Sequence, residues 1–239
     1  MEIEILQQPD CAIAHVVLKA HEEIITEAGA MIAMNSHISA STTLRKGKGG
    51  GIMGGLKRML AGQSLFLSVF RSPSNDSDIF LASKLLGDMV VYPVANTGIV
   101  VQAGSYVASS SGVDIELGFQ GFKSLFSGES IFWLDITGRG EVILSSFGAI
   151  YEILVDGEYT VDTGHIVAFE KTLNFKIAKS NSSWLGTFLG GEGLVCRFRG
   201  KGRLFCQTHN PVAFGKLVGS QLSTSKKTSI VSTIFDVIK

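Results

Sequence analysis

Three stretches decide how this chain folds: IITEAGAMIAM at 24–34, IVVQAGSYVAS at 99–109 and YTVDTGHIVAF at 159–169. Each is a β-rich run that reaches a small residue and a glycine and then resumes as a second apolar run. A second landmark follows in the same order every time: GQSLF at 62–66, GESIF at 128–132 and GEGLV at 191–195. The glycines of the two landmarks are 33 residues apart from Gly29 to Gly62, 24 from Gly104 to Gly128 and 27 from Gly164 to Gly191. The variable part is therefore one connecting loop, since loops absorb insertions and strands do not. The order predicts an all-β chain of three tandem repeats, at about 22–95, 96–156 and 157–218.

Working outward, the loops before the second landmark read GLKRMLAG (55–62), GFKSLFSG (121–128) and LGTFLGG (185–191). Each offers a bulky pair: Met59 and Leu60, Leu125 and Phe126, Phe188 and Leu189. After the landmark, TGRGEVIL (137–144) and RGKGRLFC (199–206) predict hairpins around glycine-flanked turns, while the first copy carries SPSNDSDIFLA (72–82) instead. A three-residue turn at Gly200–Gly202 sets Cys196 opposite Cys206 and Phe198 opposite Leu204 on an apolar face, with Arg197, Arg199 and Arg203 on the other. The tail TSIVSTIFDVIK (228–239) has Ile230, Ile234 and Ile238 at fourfold spacing, which predicts a marginal helix after a linker at 220–229. The all-β domain is thus expected to span 1–219, with linker and helix over 220–239.

Composition agrees. The chain has 239 residues, 45% hydrophobic and 18% charged, with 28 Gly and only 4 Pro, enough for a buried core and many tight turns. Lys+Arg and Asp+Glu are 21 each, which removes a global electrostatic case for nucleic acid. Three cysteines do not make a disulfide framework and fit a reducing compartment. The start, MEIEILQQPDCAIAHV, has no basic n-region or apolar core, so the expected location is the cytoplasm, with membrane association as a second expectation. The uncharged run Met89–Val113 is long enough to span a bilayer, but Pro93, Asn96, Gly98 and Gly104 predict short strands and turns.

Taken together, TEAG, QAG and VDTGHIVAFE with GLKRML, SGESIF and GGEGLVCRFRGKG resemble the altered inheritance of mitochondria protein 24-like family, over about residues 1–218. That family is similar in fold to the trp RNA-binding attenuation protein, a shortened double-stranded β-helix. The resemblance implies three such units in a pseudo-threefold arrangement, self-association and no established catalytic residues.

Candidate chemistry is thin. Asp162, Thr163 and Gly164 spell the DTG of aspartic proteases, but the same phase holds Glu27 and Gln102 in the other copies, so no matched carboxylate pair exists. His165 with Asp162, Glu129 and Glu192 outlines a pocket between repeats, the basis of a small-molecule-binding or enzymatic alternative. His15, His21, His37 and His209 have no ligand spacing, and neither a metal nor a cofactor is expected. KGKGGGIMGGLKR (46–58) fails the P-loop template, because Leu56 stands where Lys is needed. Its Lys46, Lys48, Lys57 and Arg58 around Ile52, Met53 and Leu56 suit peripheral membrane contact. Arg197, Arg199, Lys201 and Arg203 form a ribbon able to track an anionic backbone, the RNA-binding alternative by fold analogy, against which the zero net charge weighs.

The expected role is therefore a noncatalytic interaction or scaffold protein. Its partner is another copy of itself or a different protein, met through Leu56, Met59, Leu60, Phe122, Leu125, Phe126, Leu185, Phe188 and Leu189.

Overall fold

The computed structural model describes residues 1–43, 67–95, 97–118, 132–179 and 194–222. The interaction loops predicted at 56–60, 122–126 and 185–189, the glycine loop at 46–58, Glu129, Glu192 and the tail at 228–239 all lie outside the described residues.

The fold is predominantly β. The first strands are β1 Glu2–Leu6, β2 Ile13–Leu18, β3 Glu23–Glu27, β4 Met31–Met34, β5 Ser39–Thr43, β6 Leu67–Arg71 and β7 Ser77–Ala82. Then come β8 Met89–Val94, β9 Ile99–Gln102, β10 Tyr106–Ser110, β11 Val113–Gly118, β12 Trp133–Gly138 and β13 Gly140–Ser145. The last are β14 Ile150–Asp162, β15 Ile166–Glu170, β16 Asn174–Lys179 and β17 Leu194–Gln207, followed by helix α1, Pro211–Gln221. The uncharged run from Met89 folds as β8, β9 and β10, with a short 3-10 turn at Ala103–Ser105. No helix among the described residues is long and apolar enough to cross a membrane.

All pairings between the described strands are antiparallel, beside one isolated parallel bridge between Gly87 and Gly148. β7 pairs β2 and β4, β13 pairs β8 and β10, and the second half of β17 pairs β15 and the first half of β14. β6 pairs β3 and β5, β12 pairs β9 and β11, and the first half of β17 pairs β16 and the second half of β14. Even the irregularities match: the register slips by one residue between Met31 and Ala33, between Tyr106 and Ala108, and between Ile166 and Ala168. Such bulges bend a strand and increase its twist.

Two further pairings join these groups, β10 to β3 and β15 to β9. The path is open. Among the described residues no strand of 1–82 pairs with a strand of 150–207, so the expected threefold arrangement is not built through strand pairing.

Both hairpins expected at the glycine pairs are corrected. β12 and β13 do not pair with each other, and β17 is one fourteen-residue strand running through Gly200 and Gly202. Cys196 therefore faces Val161 and Ile177, and Cys206 faces Tyr151 and Ile166, rather than each other. The reason is conformational. Gly200, at φ +128°, sits opposite Gly157, at φ +107°, a backbone conformation that disfavours a side chain, and at this point β17 exchanges β16 for β15 as its second neighbour.

Three apolar cores result. One holds Val16, Leu18, Ile24, Ile79 and Leu81 together with Val107 and Ile143 from the following segment. The next holds Ile99, Val101, Tyr106, Leu134 and Leu144 together with Val167 and Phe205. The last holds Phe169, Cys196, Phe198, Leu204 and Cys206 with Trp133. Side chains of a later segment thus complete the core of the one before it, which makes the segments mutually dependent rather than separate domains.

Candidate interaction surface

The DTG turn is a structural cap. Asp162 precedes a 3-10 turn at Thr163–His165, and its Oδ1 accepts from the Gly164 N–H at 2.8 Å. The His165 Nδ1 donates to the Gln207 carbonyl at 2.9 Å. Gln207, buried and unremarked in the sequence, fixes the turn by donating from Nε2 to the Gly164 carbonyl and accepting the Phe147 N–H at Oε1, both at 2.9 Å. The structure gives Asp162 and His165 separate backbone partners and brings neither to the other. Among the described residues no group of three or more His, Cys, Asp and Glu side chains has the geometry to hold a metal.

The basic ribbon is matched by carboxylates on β14. Arg199 pairs with Glu158 at 2.8 Å, Lys201 with Asp156 at 3.3 Å and Arg203 with Glu152 at 2.7 Å. Arg197 lies opposite Thr160 and Lys176 in the sheet. Alternating charge on two neighbouring strands cancels the field that a phosphate backbone would need.

Arg203 belongs to a larger cluster between β8, β14, β15 and β17. Its guanidinium lies 5.4 Å from the Tyr92 ring centre and 5.0 Å from that of Phe205, and its backbone N–H donates to Glu170 Oε2 at 2.9 Å. The Tyr92 hydroxyl donates to the other oxygen of Glu170, also at 2.9 Å. Burial, with Glu170 alongside, pushes the Tyr92 hydroxyl up to about 12, so it remains a donor at any physiological pH. Burial likewise pushes the Cys196 and Cys206 thiols up to about 12, which leaves them inert core groups.

Several large apolar side chains are exposed as well. β4 carries Met31 at 37% and Ile32 at 58% exposure, and β14 carries Leu154 at 76% and Tyr159 at 45%. Helix α1 buries none of its residues, and Phe214, Leu217 and Val218 stand out from it at helical spacing. The helix starts where Asn210 Oδ1 accepts from the N–H groups of Val212 and Ala213, with Pro211 at its first position. That Asn-Pro signal was readable in the sequence. The sequence predicts an all-β course to residue 219, whereas the strands end at Gln207 and α1 runs to Gln221, into the predicted linker.

A family model described as Mitochondrial biogenesis AIM24 matches residues 3–209. The chain belongs to the AIM24 family. This is the family that the three landmark motifs resemble. An uncharacterized protein of Streptococcus pyogenes serotype M6 is 28% identical over 209 residues, covering 84% of this chain and 83% of that protein. The crystal structure of protein SPYM3_0169 from Streptococcus pyogenes matches in fold with a TM-score of 0.77 and 24% identity, over 92% of this chain and 99% of that one. The AIM24 match ends at residue 209, so the exposed helix of this AIM24 member follows directly after the matched region.

Proposed function

We propose that this AIM24-family chain is a noncatalytic interaction scaffold, built from one small strand unit of the shortened double-stranded β-helix type written three times, and that it adheres peripherally to a membrane. The matched pairings and bulges of residues 13–82, 89–145 and 150–207 support the repeated unit. The polar groups expected to mark a pocket support a noncatalytic role, because Asp162 and His165 are engaged in holding a turn.

Helix α1 carries the membrane reading. Its Phe214, Leu217 and Val218 share one side, with Lys216 and Ser220 on the other, and among the described residues they stay exposed, with the Phe147 ring 5.1 Å from that of Phe214. An exposed apolar stripe of this kind can settle into the headgroup boundary of a bilayer, with Lys216 turned toward anionic headgroups.

Flotation on vesicles containing anionic lipid tests this. The full chain is expected to rise with the vesicles, and Leu217→Asp with Val218→Asp to leave most of it at the bottom while the circular dichroism is unchanged. Full chain that never floats, on anionic or neutral vesicles, contradicts the membrane reading.

A further inference from the structure

The two internal junctions of this chain describe a third that the chain leaves unmade. At the first, Ala108, Ser109 and Ser110 of β10 pair with Thr26, Ile25 and Ile24 of β3. At the second, Ala168, Phe169 and Glu170 of β15 pair with Val101, Val100 and Ile99 of β9. In both, the strand that follows a turn glycine in one segment is added to the strand that precedes the turn glycine in the segment before.

Two strands lack this neighbour. β4 stands where β10 and β15 stand, with Ala33 one residue beyond its bulge as Ala108 and Ala168 are beyond theirs, yet among the described residues β4 pairs only with β7. The second half of β14 stands where β3 and β9 stand, and among the described residues it pairs only with β17.

Exposure reports the missing neighbour position by position. Val107 and Val167, the bulge residues of β10 and β15, are 2% and 0% exposed and enter the core of the preceding segment; Ile32, in the same place, is left in solvent. At the other edge, Ile24 and Ile99 are fully buried, whereas Tyr159, equally placed five residues before its turn glycine, is exposed. An uncovered strand edge with apolar side chains is a template for another strand.

We propose that β4 of one copy adds to the Tyr159–Asp162 edge of a second copy, head to tail, in the register of the two internal junctions, so that the third core of one molecule is completed by Ile32 of the next. Transposing that register places Ala33 opposite Val161, Met34 opposite Thr160 and Asn35 opposite Tyr159. The resulting sheet runs β16-β17-β14 of one copy into β4-β7-β2 of the other, the same order as β5-β6-β3-β10-β13-β8 within the chain, with β1 added at its end. The contact uses two different surfaces, so it propagates into a ring or a filament rather than closing as a twofold dimer.

This inference rests on the repeated-unit reading and adds the partner and the surface. The experiment is sedimentation velocity over a concentration series on the full-length chain. Wild type is expected to grow with concentration. Ile32→Asp and Tyr159→Asp are each expected to sediment as monomers with unchanged circular dichroism, while Leu86→Asp, more exposed than either but on neither edge, assembles as wild type. Mixing the two edge variants supplies one intact edge of each kind and is expected to give a dimer that neither forms alone.

A register probe completes the test. Met34→Cys with Thr160→Cys, in a Cys11→Ser background, is expected to give intermolecular disulfides under mild oxidation, and neither single cysteine variant to give any. Wild type that stays monomeric throughout, edge variants that assemble like wild type, mixed variants that remain monomers, or a Met34→Cys/Thr160→Cys bridge formed only within one chain would each overturn the proposal. A monomeric wild type would leave the repeated-unit reading standing; that reading fails only if residues 24–34, 99–109 and 159–169 do not superimpose.

Discussion

The Arg203 guanidinium donates to both carboxylate oxygens of Glu152, at 2.9 and 2.7 Å, while its backbone N–H holds Glu170, so one residue ties the edge strand β14 to the junction between β8 and β15. The hydrogen bond from Arg203 is the main cause that lowers the Glu152 carboxyl below its ordinary value. A carboxyl lowered by folding stabilises the native state above its unfolded pKa, and that contribution is lost as pH falls through the folded value. Glu152→Gln is therefore expected to destabilise the chain at pH 7 by about 1 kcal/mol, reduced by solvent at this half-exposed pair, and to match wild type once the pH is well below the ordinary carboxylate range. Urea melts of both proteins at several pH values read this directly. A gap that does not close in acid would exclude the ion pair as its origin. The sequence shows Arg203 only as one member of a basic run; its carboxylate lies fifty-one residues away, and no local pattern joins them.

Glycine positions decide the behaviour of the strands. Gly138 has φ +95°, and a Cβ there would collide with the Gly112 carbonyl, whereas Gly104 lies in open space without a left-handed φ. Gly138→Ala should cost about 2 kcal/mol or more, and Gly104→Ala less than about 0.5 kcal/mol. Equal thermal melts for the two variants would contradict this assignment. The glycine runs TGRG and RGKG read as hairpin turns because a glycine pair between alternating apolar runs is the usual sequence sign of one. The structure uses Gly138 to carry the chain from the sheet of β12 into that of β13, and Gly200 to let β17 exchange β16 for β15 as its neighbour, a distinction set by which distant strand offers its edge. The strands themselves were legible from their β-branched runs; their partners were not, since pairing between residues as far apart as Thr26 and Ala108 leaves no trace in local periodicity.

At the scale of the molecule, the first two cores are each finished by side chains from the segment that follows, and the third takes Trp133 from the segment before it. Val107 and Phe205 serve two segments at once, which explains how a chain with 12% glycine holds together without disulfides or a large single core. The order of the landmark motifs made this legible in outline. The open ends are not legible there, because Met31 and Ile32 sit in the same apolar run as their counterparts in the other two stretches, and only the neighbour they lack leaves them in solvent. A crystal structure of the full chain tests the central claim most directly. It should superimpose residues 24–34, 99–109 and 159–169 with the bulge at Ile32, Val107 and Val167; three stretches of unlike path, or a bulge missing from any one of them, would contradict it.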